Sequence, residues 1–280
     1  DPWGEDIKGV KTKAEAIERL KKENERLPEG TPLIAWGWDS IAMKGGHLTG
    51  AELDAISQDR IIGVWDCSMH NGYCNRAGLI KCGLAGQSWS IRRKIARARK
   101  MDGVLVLEDN SLGGQFLGIE ALYLLLPLFQ PLFTVSNLID AMKHITEIGR
   151  QGGITFMAEL MLGAFALPLE QKIFQLFYND EQTPMRCAVV VKADKAVQWL
   201  GGFFRSTRKA VARVMALAKT STSKLIYNGG VKFFTDDAFL GCTMQMSYPG
   251  WTDAHKGLWN CSPGAAYVRE MLPWWKAGAR

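Results

Sequence analysis

The chain has 280 residues, 47% of them hydrophobic and 22% charged, which excludes a disordered polypeptide and supplies enough apolar material for one large domain or two smaller ones. Its 34 basic and 28 acidic residues leave a net charge of +6, but most of the cations are interspersed with acids, so a nucleic-acid partner is not expected. Six cysteines are too few for a disulfide framework at this size and fit a reducing, cytoplasmic setting.

Residues 1–22 lack the basic start and apolar centre of a secretory signal. Within them begins the first predicted element, a surface helix over 12–27 that carries Ala16 and Leu20 among dense Lys and Glu and is closed by Pro28 and Gly30. Residues 33–36 read as a short strand. Thr49 and Glu52 stand at capping-box spacing before Leu53 and Ile56, which predicts a short helix. A strand over 61–65 gives way to polar residues ending at His70, and a helix follows from Asn75 with Gly83 suited to its C-terminal cap. Arg92, Arg93, Lys94, Arg97, Arg99 and Lys100 fall at helical spacing; they read as a solvated cationic face or, alternatively, as a contact for an acidic partner. Residues 104–107 form a further strand. The most apolar stretch, 121–133, is shorter than a bilayer crossing and is broken by Pro127 and Pro131, so it reads as a buried helix end and no membrane association is expected.

Beyond Thr134 the rhythm changes. A long amphipathic helix over 135–150 stops at Gly152-Gly153, and apolar strands over 154–160, 186–191 and 231–234 alternate with helical stretches over 169–178 and 196–218. This alternation predicts parallel βα units with each strand covered on both faces. A last helix over 265–276 continues the pattern. The boundary is placed near Phe133, giving domains 1–133 and 134–280.

Several residues could carry chemistry. Cys67, His70, Cys74 and Cys82 are zinc-type ligands, but their spacing is wrong for paired two-residue knuckles, so buried free thiols are the simpler reading. His70, flanked by Asn71 and Gly72 where a strand ends, reads either as a satisfied structural residue or as one presented to a cleft. Lys232 lies in an apolar run, where an ammonium is costly unless it snorkels to the strand end, is paired, or is chemically altered. Asp236 and Asp237 follow at the C-terminal end of that strand, where barrel enzymes collect their catalytic groups; two adjacent carboxylates cannot both enter one pocket. Glu159 stands near the end of the strand over 154–160 and Asp194 follows the strand over 186–191; each reads as a cap or loop charge or, alternatively, as an acid facing a cleft. No Gly-x-Ser-x-Gly elbow and no phosphate-cradling glycine motif occurs.

Several separated segments resemble one family. His47-Leu48-Thr49-Gly50-Ala51-Glu52-Leu53, Met69-His70-Asn71-Gly72-Tyr73-Cys74-Asn75, Gly152-Gly153-Ile154-Thr155 and above all Val231-Lys232-Phe233-Phe234-Thr235-Asp236-Asp237 are similar, in order, to the amidohydrolase 3 family and its YtcJ-like branch. The resemblance implies an α/β protein, a partial (β/α)8 TIM-type barrel of about strands 2–4, with an inserted α+β subdomain. It implies a divalent metal, commonly zinc, held in the complete family member with Lys232 carboxylated as a ligand, and hydrolysis of an amide-type carbon–nitrogen bond in a small-molecule substrate touched by His70 and Asp236. The sequence departs from the family by having no His-x-His pair, by Asp237 in place of a glycine, and by Met157-Ala158-Glu159 in place of Thr-x-Asp. The expectation is a fragment beginning after the first barrel strand and ending after the helix that follows the fourth, inactive alone and with either a divalent metal or none bound. An incomplete parallel sheet would favour a homo-oligomer or a complementing chain. The rival reading is a non-catalytic binding or assembly module on the same fold.

Overall fold

The computed structural model describes residues 10–164, 167–193, 207–251, 255–261 and 263–280. The chain divides into two units, 1–131 with 236–260, and 132–235 with 261–280. The first break falls between residues 131 and 132. The return of residues 236–260 to the first unit was not expected, because a segment without strong periodicity carries no sign of which core it joins.

In the first unit, helix α1 (Lys13–Arg26) opens on Thr12, whose side chain accepts from the Glu15 amide while the Glu15 carboxylate accepts from the Thr12 amide. Strand β1 (Leu33–Trp38) follows, then helix α2 (Gly50–Asp54), which repeats the same reciprocal cap with Thr49 and Glu52. Strands β2 (Ile62–Asp66) and β3 (Gly72–Cys74) form a hairpin that leads into helix α3 (Arg76–Lys81). Helix α4 (Trp89–Ala98), strands β4 (Val104–Val106) and β5 (Leu112–Phe116), and the short helices α5 (Ile119–Leu122) and α6 (Leu126–Phe129) complete the run. The five strands make one sheet in the order β1-β2-β3-β5-β4, with β1 and β2 parallel and the other pairs antiparallel.

Leu33, Leu48, Leu53, Ile62, Val64 and Tyr73 form a core between this sheet and α1 and α2. Asn75, fully buried, ties the layers together. Its Oδ1 accepts from Gly78, capping α3, and from Ile62 of β2, while its Nδ2 donates to the carbonyls of Ser57 and Arg60. All four side-chain hydrogen bonds of a buried amide are thus made, and the desolvation cost is offset.

The second unit holds helix α7 (Val135–Gln151), strand β6 (Phe156–Leu162), helix α8 (Leu167–Tyr178), strand β7 (Arg186–Lys192), helix α9 (Thr207–Leu217), strand β8 (Leu225–Lys232) and helix α10 (Ala265–Lys276). The strands are parallel in the order β6-β7-β8. Among the described residues the sheet is open and no barrel closes, so the expected architecture is present as a mixed α/β protein with two separate sheets. The core is gathered on one face, from Cys187, Val189 and Val191 of β7, Leu225 and Tyr227 of β8, and Val211 and Val214 of α9. The expectation that every strand is covered on both faces is corrected at β6, where Phe156 is 44% and Leu160 51% exposed. The predicted helix over 196–218 is described only from Thr207; its first part lies outside the described residues.

Candidate functional site

His70 sits in the turn of the β2–β3 hairpin, not at a strand-to-helix passage as its sequence setting suggested. The turn is closed by the Asp66 amide donating to the Asn71 carbonyl (3.0 Å), the Ser68 amide donating to Asp66 Oδ1 (2.8 Å) and the His70 amide donating to Ser68 Oγ (3.2 Å). Met69 adopts φ 63°, the left-handed region that β-carbon contacts make uncommon for side chains of this kind, and the sharp reversal sets the direction of the next residue. His70 Nδ1 then meets Asp237 Oδ1 in a short hydrogen bond. The Asp237 side chain is fully buried and that of His70 is 17% exposed.

The carboxylate is held from a second direction, because Asp237 Oδ2 accepts the Ile119 amide at 3.1 Å. Asn71 Oδ1 accepts the neighbouring Gly118 amide at 3.0 Å. Gly118 has φ 85°, and a β-carbon there would collide with the Asp237 carboxylate, so only glycine lets the backbone come this close. The pair is a carboxylate-oriented imidazole. With the carboxylate accepting, Nδ1 carries the proton and Nε2 is the basic nitrogen, the arrangement that serves proton transfer or ligand binding.

Asp236, expected at the substrate, makes contacts within its own segment. Its Oδ2 accepts the Gln245 amide (3.1 Å), its carbonyl accepts from Asn260 Nδ2 (2.9 Å), and its backbone bridges to Trp259. It shapes the 236–260 segment, and its neighbour Asp237 is the acid that reaches His70. The sequence signal was the Asp doublet, which could not say which member turned inward.

In the second unit, the strand that bears Lys232 begins and ends earlier than its apolar run suggested, so Lys232 is the last residue of β8 instead of an interior one. It lies in register with Lys192, the last residue of β7, and the Ala193 amide donates to the Lys232 carbonyl at 2.9 Å. Both ammonium groups reach the ring of Phe234, each 4.8 Å from its centroid, where the π face attracts cations. Lys192 is buried and Lys232 half-buried. On β6, burial pushes the Glu159 carboxyl above its ordinary value against the opposing hydrogen bond from the Met161 amide (2.7 Å). Asp194 lies outside the described residues.

Among the described residues no group of three or more His, Cys, Asp or Glu side chains could hold a metal ion. As an ammonium Lys232 has no lone pair to give a metal, and it fits one only as a carbamate anion. The Cys67, His70, Cys74 and Cys82 set is not such a group. Cys67, Cys74, Cys82 and Cys187 carry free thiols. Burial pushes the Cys82 thiol up to about 12 and the Cys67 thiol to about 11, where Asp66 and Asp39 add to the effect, and it raises the fully buried Cys74 well above the ordinary range.

No known family model matches the sequence, and no curated protein matches it. Solved structures do. The chain is similar to an uncharacterised metal-dependent hydrolase from Pyrococcus horikoshii, with a TM-score of 0.54 and 16% identity over 96% of this chain and 47% of that one. It is likewise similar to an uncharacterised metal-dependent hydrolase from Pyrococcus furiosus, with a TM-score of 0.51 and 16% identity over 96% of this chain and 48% of that one. The chain thus spans about half the length of these structures. At this identity the likeness is one of fold: a mixed α/β chain built like part of two metal-dependent hydrolases.

Proposed function

We propose that these residues belong to a metal-dependent hydrolase of carbon–nitrogen bonds, of the amidohydrolase 3 type, acting on a small-molecule substrate. The reading rests on one conjunction: a fold shared with metal-dependent hydrolases over 96% of the chain, and a lysine at the carboxyl end of a parallel strand, where such folds gather their ligands. In this proposal Lys232 is carboxylated and becomes an anionic ligand of a divalent metal, with zinc the first candidate. A bound metal would supply an activated water and polarise the carbonyl. The described residues do not complete its ligand set. His70, oriented by Asp237, would contact substrate and hold or pass a proton at Nε2.

The test is elemental analysis of the natural protein that carries these residues, alongside carbon-13 bicarbonate labelling. Retained zinc that falls in K232A, together with a carbamate carbonyl signal lost in the same variant, supports the reading. A metal-free protein with unmodified Lys232 and no amide hydrolysis at added zinc would sink it. That result would favour the second reading, a non-catalytic module on the hydrolase fold, which the lack of a His-x-His pair and Asp237 in place of a glycine motivate.

A further inference from the structure

We propose that the first unit contains a separate binding pocket for a small organic oxyanion, a phosphate or carboxylate head group carried on a compact apolar body. The pocket is a cavity of about 390 Å³ lined by Arg76, Arg92 and Arg99 over an apolar floor of Leu79, Leu84 and Leu112. Arg76 is the first residue of α3. Arg92 and Arg99 are two helical turns apart on α4 and at its C-cap, so they project to one side.

Two other cations of this segment are committed elsewhere. Lys94 Nζ donates to the Cys82 carbonyl at 2.6 Å, at the end of α3, and Arg93 stacks over Trp89 at 4.9 Å. Arg92 and Arg99 face the pocket, where Arg76 of α3 joins them. Among the described residues none of the three guanidinium groups has a carboxylate within ion-pair distance. The acid that lines the cavity, Asp109, spends its Oδ1 on the Ser111 amide (2.8 Å) and hydroxyl (2.6 Å), folding the turn between β4 and β5. Three cations against one such acid leave a positive cleft, and a concave wall concentrates that field.

The chemistry of the lining selects the ligand. Guanidinium forks match the paired oxygens of phosphate or carboxylate, and one of them is already aimed, since Arg92 Nη2 donates to Gln87 Oε1 at 2.6 Å. The Leu79, Leu84 and Leu112 side chains are nearly fully buried and open only a small apolar surface to the pocket, which limits the body to a compact one. The volume suits a single small molecule and no larger ligand.

Methyl NMR of the whole 280-residue chain tests the proposal, with phenyl phosphate, benzoate and inorganic phosphate as probes. Saturable shifts of the Leu79, Leu84 and Leu112 methyls with phenyl phosphate are expected, with weaker binding of inorganic phosphate. Affinity should fall about tenfold or more in R92Q/R99Q and stay unchanged in R93Q/R97Q, whose side chains are outside the lining. The order of phenyl phosphate and benzoate identifies the head group. Methyl signals that do not move with either organic probe, or an affinity indifferent to R92Q/R99Q, would overturn the site. So would binding of a single-stranded oligonucleotide that depends on Arg93 and Arg97 while leaving those methyls in place.

Discussion

At the scale of single residues, the charged side chains divide by what holds them. His70 and Asp237 are fixed by three independent anchors, the hairpin turn, the Ile119 amide and the closeness that Gly118 permits. If the pair handles a proton in the proposed hydrolysis, H70A should lower kcat/KM by about 10²–10⁴-fold, measured on whichever amide substrate the natural protein turns over. G118A should disturb the pair without replacing either member, and loss of the coupled imidazole shift between wild type and D237N would show it by NMR. Glu159 behaves differently, because its folded-state carboxyl is raised by burial. Below the ordinary value of 4.5 it is protonated in both folded and unfolded chains and costs nothing. As pH rises from there through the raised folded value, the unfolded chain ionises first and stability is lost. E159Q keeps an acceptor for the Met161 amide and removes the charge, so its Tm should exceed that of the wild type at pH 7 and match it near pH 4. Equal Tm values at both pH values would contradict the burial argument.

At the scale of elements, local rules served where the cap was written in the chain. Both reciprocal caps, Thr12 with Glu15 and Thr49 with Glu52, have the spacing the rule requires, and the second is reinforced because Lys13 Nζ reaches the Glu52 carboxylate at 2.9 Å. Burial pushes the Glu52 carboxyl up, but the Lys13 hydrogen bond and the Thr49 contacts outweigh it and hold the group below its ordinary value. T49A is expected to cost about 1 kcal/mol in chemical denaturation. Arg60 does more by a route no local rule reveals. Its guanidinium collects the carbonyls of Asn24, Leu27, Pro28 and Thr31 and the Asn24 side chain, closing the carboxyl end of α1. R60K cannot reproduce that fork and should lose roughly 1.5–3 kcal/mol, read from the denaturation midpoint. Strands β3 and β5 escaped the sequence reading because they are short and carry glycine, as in Leu112-Gly113-Gly114-Gln115-Phe116, so alternation was invisible; only pairing with longer neighbours makes them strands.

At the scale of the whole molecule, the open parallel sheet sets the physical behaviour. Parallel sheets are ordinarily covered on both faces, yet β6 is an edge strand with Phe156 and Leu160 half in solvent. The 280-residue chain should therefore self-associate, and F156K/L160K should shift its mass toward the monomer in size-exclusion chromatography with light scattering. A wild-type chain that is monomeric at high concentration would show that this face needs no cover. The chain by itself determined its apolar periodicities, its helix caps, the change to βα alternation after Thr134, and the chemical oddity of Lys232, because each depends on residues near one another in sequence. Tertiary structure alone decided that Asp237 and not Asp236 meets His70, that Lys192 stands beside Lys232, that Arg76 joins Arg92 and Arg99, and that residues 236–260 belong to the first unit. Those pairings join residues up to 167 positions apart, as in the His70–Asp237 pair, and contacts of that range are selected by burial and packing of the folded chain, which no local pattern encodes.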